Sequence, residues 1–267
     1  MKKILAALLL CVAFCAHAQT LTEAEKLYQD GDFASAQKQY EEIVKTATGN
    51  DLYQAQLRLA ACQYSQGAYL NAAKTLFSFP LPQDALWKAR FLLYRTQMAQ
   101  QVANQYSPIL QAREIEGNTD MEQWTRGQWH SQMQKDFEQL WALRADLIKA
   151  PIQQETLILN VKDTDTQRIP TLFDFVVQQW TSFLGGTEQN LPAEGVRNYL
   201  SGHAAPIAKQ KNRADKLASV LKTAYELEGT NRQNARLFWQ TDYILLPLQR
   251  KDLFEIKNEE KAFRTAV

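Results

Sequence analysis

The chain has 267 residues, 45% of them hydrophobic and 22% charged, with 30 Lys and Arg against 29 Asp and Glu. A balance this even offers no concentrated positive field, which argues against nucleic acid or an anionic membrane surface as partner. Three cysteines and three histidines supply little for a disulfide framework or a histidine-rich metal site.

In chain order, the first feature is an export pattern. Lys2 and Lys3 form a short positive region, Ile4 to Cys15 an apolar run of twelve residues, and Ala16-His17-Ala18 a small-x-small cleavage pattern. Residues 1–18 are expected to be a signal peptide cleaved before Gln19, placing the mature chain in the periplasm or on the surface of a bacterium. The run is shorter than the about 20 residues of a spanning helix. A lipoprotein signal is the alternative, although Cys11 follows Leu10 and Cys15 follows Phe14, where a small residue is normally expected. Cleavage would leave 28 basic and 29 acidic residues, with Cys62 as the single thiol, so packing must supply the stability. No second apolar run reaches membrane-spanning length, so no integral membrane segment is expected after cleavage.

Residues 19–104 are expected to hold tetratricopeptide-like repeats. Ala24 and Leu27 precede Gly31, and Phe33, Ala36, Tyr40 and Ile43 follow it; Leu59 and Ala60 precede Gly67, and Tyr69, Ala72, Leu76 and Phe79 follow it. The two glycines stand 36 residues apart, close to the ~34-residue tetratricopeptide period. Glycine at the inter-helix turn permits a left-handed backbone, alanine lets two helices approach, and aromatics fill the groove. Pro80 ends the second copy. Two ordinary helical hairpins would be the plainer explanation of the same pattern. Leu86 to Val102 reads as a further helix without the glycine signature.

Residues 105–267 are read as a helical domain continuing the solenoid. Asp120 to Lys149 carries Trp124, Trp129, Met133, Phe137, Leu140, Trp141, Leu143 and Leu147 at helical spacing, and Pro151 stops it. Thr156 to Val161 is the one β-like run, treated as an extended connector. Thr171 and Asp174 form a box-like cap opening the next helix, whose stripe runs from Leu172 to Leu184 and ends at Gly185-Gly186. A short helix is expected within 195–203, an amphipathic helix over 213–227 closed by Gly229, and its partner over 231–246 broken by Pro247. Residues 257–267 begin another helix with no capping residue after Val267, consistent with a chain that continues further.

The sequence carries little recognisable chemistry. His130 and His203 have no second ligand at zinc spacing, and no nucleophile elbow, phosphate loop or dinucleotide fingerprint is present. Asp163 and Asp165 resemble the start of a calcium loop, but Arg168 stands at its sixth position and Asp174 at its twelfth, where Gly and Glu are needed. Cys62, between Ala61 and Gln63, reads as a buried small hydrophobe. Trp124, Trp129 and Trp141 could line a peptide groove, and core packing explains the same spacing. Lys209, Lys211 and Arg213 form a small basic cluster that reads as solvated.

The stretch from Phe137 through Leu184 resembles the N-terminal helical region of large secreted bacterial proteins of the alpha-2-macroglobulin family. The resemblance rests on Trp141, Pro151-Ile152, Leu157-Ile158-Leu159 and the segment Arg168-Ile169-Pro170-Thr171-Leu172-Phe173-Asp174-Phe175. It implies the helical front of such a protein, or a stand-alone relative, in a family of envelope defence and protease inhibition. The family's thioester motif, Cys-x-Glu-Gln, is absent, because Cys62 is followed by Gln63-Tyr64-Ser65, and no β-sandwich strands are visible.

The reading is therefore an all-α chain of tetratricopeptide-like stacked helical hairpins, an α-solenoid with irregular connectors. Its expected function is that of a non-catalytic scaffold for a protein or peptide partner in the cell envelope, without cofactor or metal. Gln56, Arg58 and Gln63 are the candidate partner-binding residues. The alternative is an envelope hydrolase with an unrecognised active site.

Overall fold

The structure, a computed structural model, describes residues 21–106, 109, 119–186, 213–229 and 231–249. The expected signal peptide, the short helix at 195–203, the helix at 257–267, His203, Lys209 and Lys211 lie outside these residues. The described chain is all-α: it forms helices and turns, with one isolated antiparallel bridge between Pro151 and Thr171 and no strand. It divides into two compact units, Met1–Leu143 and Arg144–Val267. The division falls after Leu143, whereas the repeat pattern ends near 104, because the helix following the repeats packs along the one before it and joins the first unit.

The first unit contains α1 (residues 21–29), α2 (Phe33–Thr46), α3 (Gly49–Ser65), α4 (Tyr69–Ser78), α5 (Ala85–Gln105) and α6 (Arg126–Ala142). From α2 onward each helix packs on the next, and α3 also touches α5. The turns after α1 and α3 are closed alike. The Asp32 N–H donates to the Leu27 carbonyl at 2.9 Å and the Gly31 N–H to that of Tyr28 at 3.2 Å; Ala68 and Gly67 repeat both bonds onto Gln63 and Tyr64, each at 2.9 Å. Gly31 and Gly67 hold φ of 83° and 80°, the left-handed value this closure requires. The equivalent pairs Ala24 and Ala60, Ala36 and Ala72, and Tyr40 and Leu76 are all fully buried. Side-chain caps fix the helix starts. Asp32 accepts from the Ser35 N–H, Asp84 from those of Leu86 and Trp87, and Thr125 and Gln128 form a reciprocal capping box at α6. Phe79 is extended ahead of Pro80, as a residue preceding proline prefers, and α4 ends there.

The second unit contains α7 (Arg144–Leu147), α8 (Leu172–Gly185), α9 (Arg213–Glu228) and α10 (Gln233–Gln249), with short 3₁₀ turns at Ile152–Gln154 and Val161–Asp163. Helix α9 packs on both α8 and α10. The expected Thr171 cap is present: its side chain accepts from the Asp174 N–H, while Asp174 accepts from the Thr171 N–H at 3.1 Å. Gly186 caps the other end, its N–H on the Ser182 carbonyl.

Two expectations are corrected. Residues 156–161 are not extended: the Ile158 and Leu159 N–H groups both fold back onto the Glu155 carbonyl, burying Ile158. Pro247 does not end its helix, which runs on to Gln249; so near the terminus a proline forfeits one helical hydrogen bond and little depends on it. The helix or helix pair expected over 120–149 is a pair, α6 and α7, divided at Leu143, whose N–H bonds back onto Leu140 and Trp141.

Candidate functional site

The most organised polar arrangement in the first unit joins α1, α2, α3 and α5 around Glu25. Arg58 Nε and Nη2 donate to the Glu25 carboxylate at 2.9 and 2.6 Å, a bidentate pair that fixes orientation as well as charge. The Tyr40 hydroxyl donates to Glu25 at 2.9 Å and Gln54 at 3.5 Å. The Arg58 guanidinium lies 4.3 Å from the centre of the Tyr28 ring and bonds to Tyr94. Burial by itself would raise the Glu25 carboxyl. The hydrogen bond and charge of Arg58, with Tyr40 and Gln54, outweigh it and hold the group below its ordinary value. Burial beside Glu25 raises the Tyr40 phenol far above its usual range.

These contacts decide what the sequence-chosen residues do. Gln56 and Arg58 are 6% and 8% exposed, and Arg58 is fully engaged with Glu25 and Tyr28. Gln63 is half-buried, with its side-chain oxygen out of reach of any donor. Helix α3 is central, packed by α2, α4 and α5, so polar residues there are drawn into the interior. The exposed side of α3 carries Tyr64, 37% exposed and edge-on to Tyr69 at 5.1 Å. Cys62 is buried and reduced, its thiol pushed up to about 12 by burial.

Of the tryptophans of the next segment, Trp129 packs inward, while Trp124 and Trp141 are half-buried. Trp129 is fully buried, its ring 4.8 Å from Trp124 and 6.5 Å from Phe77. Beneath them Arg95 donates to the Phe79 carbonyl at 2.8 Å and lies over the Phe77 ring. Asp136, 1% exposed, accepts from Gln132; burial raises it to about 6 against the opposing pull of Arg95. Sequence reasoning passed over Arg95 and Asp136, 41 residues apart; an Asp within an aromatic helix stripe was the available sign. His130 is half-buried and engaged in a contact.

In the second unit a shallow cleft of about 280 Å³ lies between the 163–169 turn and α10, lined by Asp165, Arg168, Ile169, Phe175 and Phe238 among others. Arg168 stacks over Phe238 at 5.6 Å and pairs with Asp165 at 3.4 Å. Among the described residues no three His, Cys, Asp or Glu side chains gather closely enough to hold a metal ion, and no helix is long and apolar enough to cross a membrane. Compared with known proteins, the chain matches no family model, no curated protein and no solved structure.

Proposed function

We propose that this chain is an exported, non-catalytic helical scaffold whose first four helices are two tetratricopeptide-like hairpins, and that it holds a protein or peptide partner. The observation that carries the reading is the duplication: the same glycine turn, the same buried alanines and the same buried large residue recur at one fixed interval. Tandem hairpins of this kind stack side by side and leave a row of helices facing a partner. The Glu25–Arg58 pair suits such a scaffold, because it locks α1 to α3 across the boundary between hairpins and keeps the facing row rigid. Exposed aromatics with few rotamers, such as Tyr64, make economical contacts for a partner chain. The envelope location rests on the Lys2-Lys3, apolar and Ala16-His17-Ala18 pattern. The macroglobulin-like resemblance adds a defence or protease-inhibitor setting.

The experiment is site-specific photocrosslinking of the full chain in intact cells. A photoreactive residue at Tyr64 should give one discrete adduct, and the same residue at Lys45, exposed on α2, should give none. Equal labelling at both positions, or no adduct at Tyr64, overturns the proposal. N-terminal sequencing of the mature protein from the envelope fraction should begin at Gln19.

A further inference from the structure

The cleft of about 280 Å³ in the second unit is one part of a longer depression. It shares Asp165, Arg168 and Phe238 with a recess of about 550 Å³, which shares Gln167 and Asn234 with a third of about 360 Å³. Together they trace a trough along α10 from Asn231 to Asp242, with the 163–170 turn as its opposite wall. At 1.5 Å per residue that stretch of helix is about 17 Å long, the span of about five residues of extended chain. The face of α10 that borders the trough is not the one that anchors the helix, whose buried side chains are Ala235, Trp239 and Leu246. Asn234, Phe238 and Asp242 follow one another a turn apart on a neighbouring line. Leu237 beside them is 59% exposed, the most exposed large hydrophobic side chain among the described residues.

The charges of the trough are unevenly answered. Arg168 Nε lies 3.4 Å from Asp165 Oδ2 while its guanidinium leans on the Phe238 ring, and Arg232 Nε donates to Glu228. Asp165 Oδ1 accepts from the Gln167 and Arg168 N–H groups at 3.1 and 3.3 Å, and Asp163 accepts from the Asn160 amide. Asp242, half-buried, receives no hydrogen bond and no ion pair from any described residue. Asp163, Asp165 and Asp242 thus line the trough against Arg168 and Arg232, both of which are already paired. The charge left over is negative, and it stands one turn beyond Phe238.

We propose that this trough binds an extended peptide segment carrying a large aliphatic side chain and a basic one two residues apart, the aliphatic group seated on Leu237 and Phe238 and the cation on Asp242. The site is independent of the scaffold reading, which places its partner against Tyr64 of the first unit. The spacing follows from the two geometries. From Phe238 to Asp242 is about 6 Å along the helix. Side chains at i and i+2 of an extended chain project to one side about 6.6 Å apart, so they reach both places at once. The carboxamides of Gln167, Gln178 and Asn234 border the trough, and each offers a donor and an acceptor to the main chain of the peptide. Half-burial raises the Asp242 carboxyl, which Arg168 offsets only in part, so an arriving cation also relieves the cost of that burial.

The test is titration of the isotope-labelled full chain with the peptide acetyl-Ser-Gly-Leu-Ser-Lys-Gly-Ser-amide, followed by amide NMR shifts. A second peptide with Leu and Lys exchanged covers the opposite chain direction. One of the two should bind with Kd on the order of 1 mM or tighter. The shifts should be confined to the 163–170 turn and the first half of α10. Replacing the peptide's Lys by Glu, or setting Leu and Lys side by side, should abolish them. Leu237→Ser should weaken binding about tenfold, the loss of one buried aliphatic contact. Asp242→Asn, which keeps the shape and removes the charge, should weaken it about fivefold. Both positions reach solvent, so the variants keep the fold, and the peptide controls decide the question on the native protein in any case. No binding of either peptide, equal binding of the Glu peptide, or shifts centred elsewhere overturns the proposal. Shifts of the same residues on concentrating the protein alone would make a second copy of this chain the occupant, and overturn it too.

Discussion

Trp239 donates its indole N–H to a carboxylate 65 residues earlier, Asp174 Oδ1, at 2.8 Å, and both side chains are buried. One bond thus links the start of α8 to the middle of α10. Trp239→Phe keeps the ring and removes the donor, leaving a buried acceptor short of a partner. The expected cost is about 1–3 kcal/mol. Urea unfolding of the variant should show a lowered midpoint for the second unit, with the transition of the first unit unmoved.

Gly31 and Gly67 make a paired prediction. A Cβ at either position meets nothing within 4 Å, so alanine there is opposed by the backbone alone, at φ of 83° and 80°. Each substitution should cost about 1–2 kcal/mol, and the two costs should agree closely. Unequal penalties in thermal unfolding would mean that the two turns are alike in outline only.

The Glu25–Arg58 pair gives an acid-sensitive signature. Glu25 is held below 4.5, so its contribution is present above that value and disappears as pH falls through the lower folded value. Arg58→Met strands a largely buried carboxylate and should cost about 3–5 kcal/mol at pH 7, while the double variant with Glu25→Leu should regain most of it. Denaturation across a double-mutant cycle at pH 7 and pH 3 reads both effects. A single variant no less stable than the double would remove the pair from the account.

Asp136 behaves in the opposite sense. Burial raises it from 3.8 to about 6, so the stability tied to its protonated form is complete below 3.8 and lost as pH rises through 6. Asp136→Asn should flatten the stability of the first unit between pH 4 and pH 7. Chemical denaturation at pH 4, 5, 6 and 7 checks it, with tryptophan fluorescence from the Trp124–Trp129 pair as the probe.

What was legible in the sequence is what forms locally. The Gly31 and Gly67 turns, the Thr171–Asp174 cap and the stop at Pro80 each depend on residues within a few positions of one another, where spacing carries the physics. The Thr125–Gln128 box has the same spacing and could have been read in the same way. Arg58 shows why the remainder was not. A long polar side chain on a helix suggests an open surface, but α3 lies among three neighbours, and only the register of α1 against it reveals Glu25 as the counter-charge. The Asp174–Trp239 bond is hidden for the same reason: its two members come from different helices, and nothing in the sequence neighbourhood of either refers to the other. The connector at 156–161 misled because its apolar run signals β structure, while Glu155 draws the chain into turns.

Cys62 has a consequence for the chain's chemical endurance. Thiols are attacked through their anion, and interior packing against α2 and α3 neighbours keeps this sulfur neutral and shielded from solvent. An unpaired sulfhydryl is ordinarily a point of corrosion wherever peroxide or disulfide exchange is active. Here the fold itself is the antioxidant, and Cys62 should not cross-link one folded copy to another.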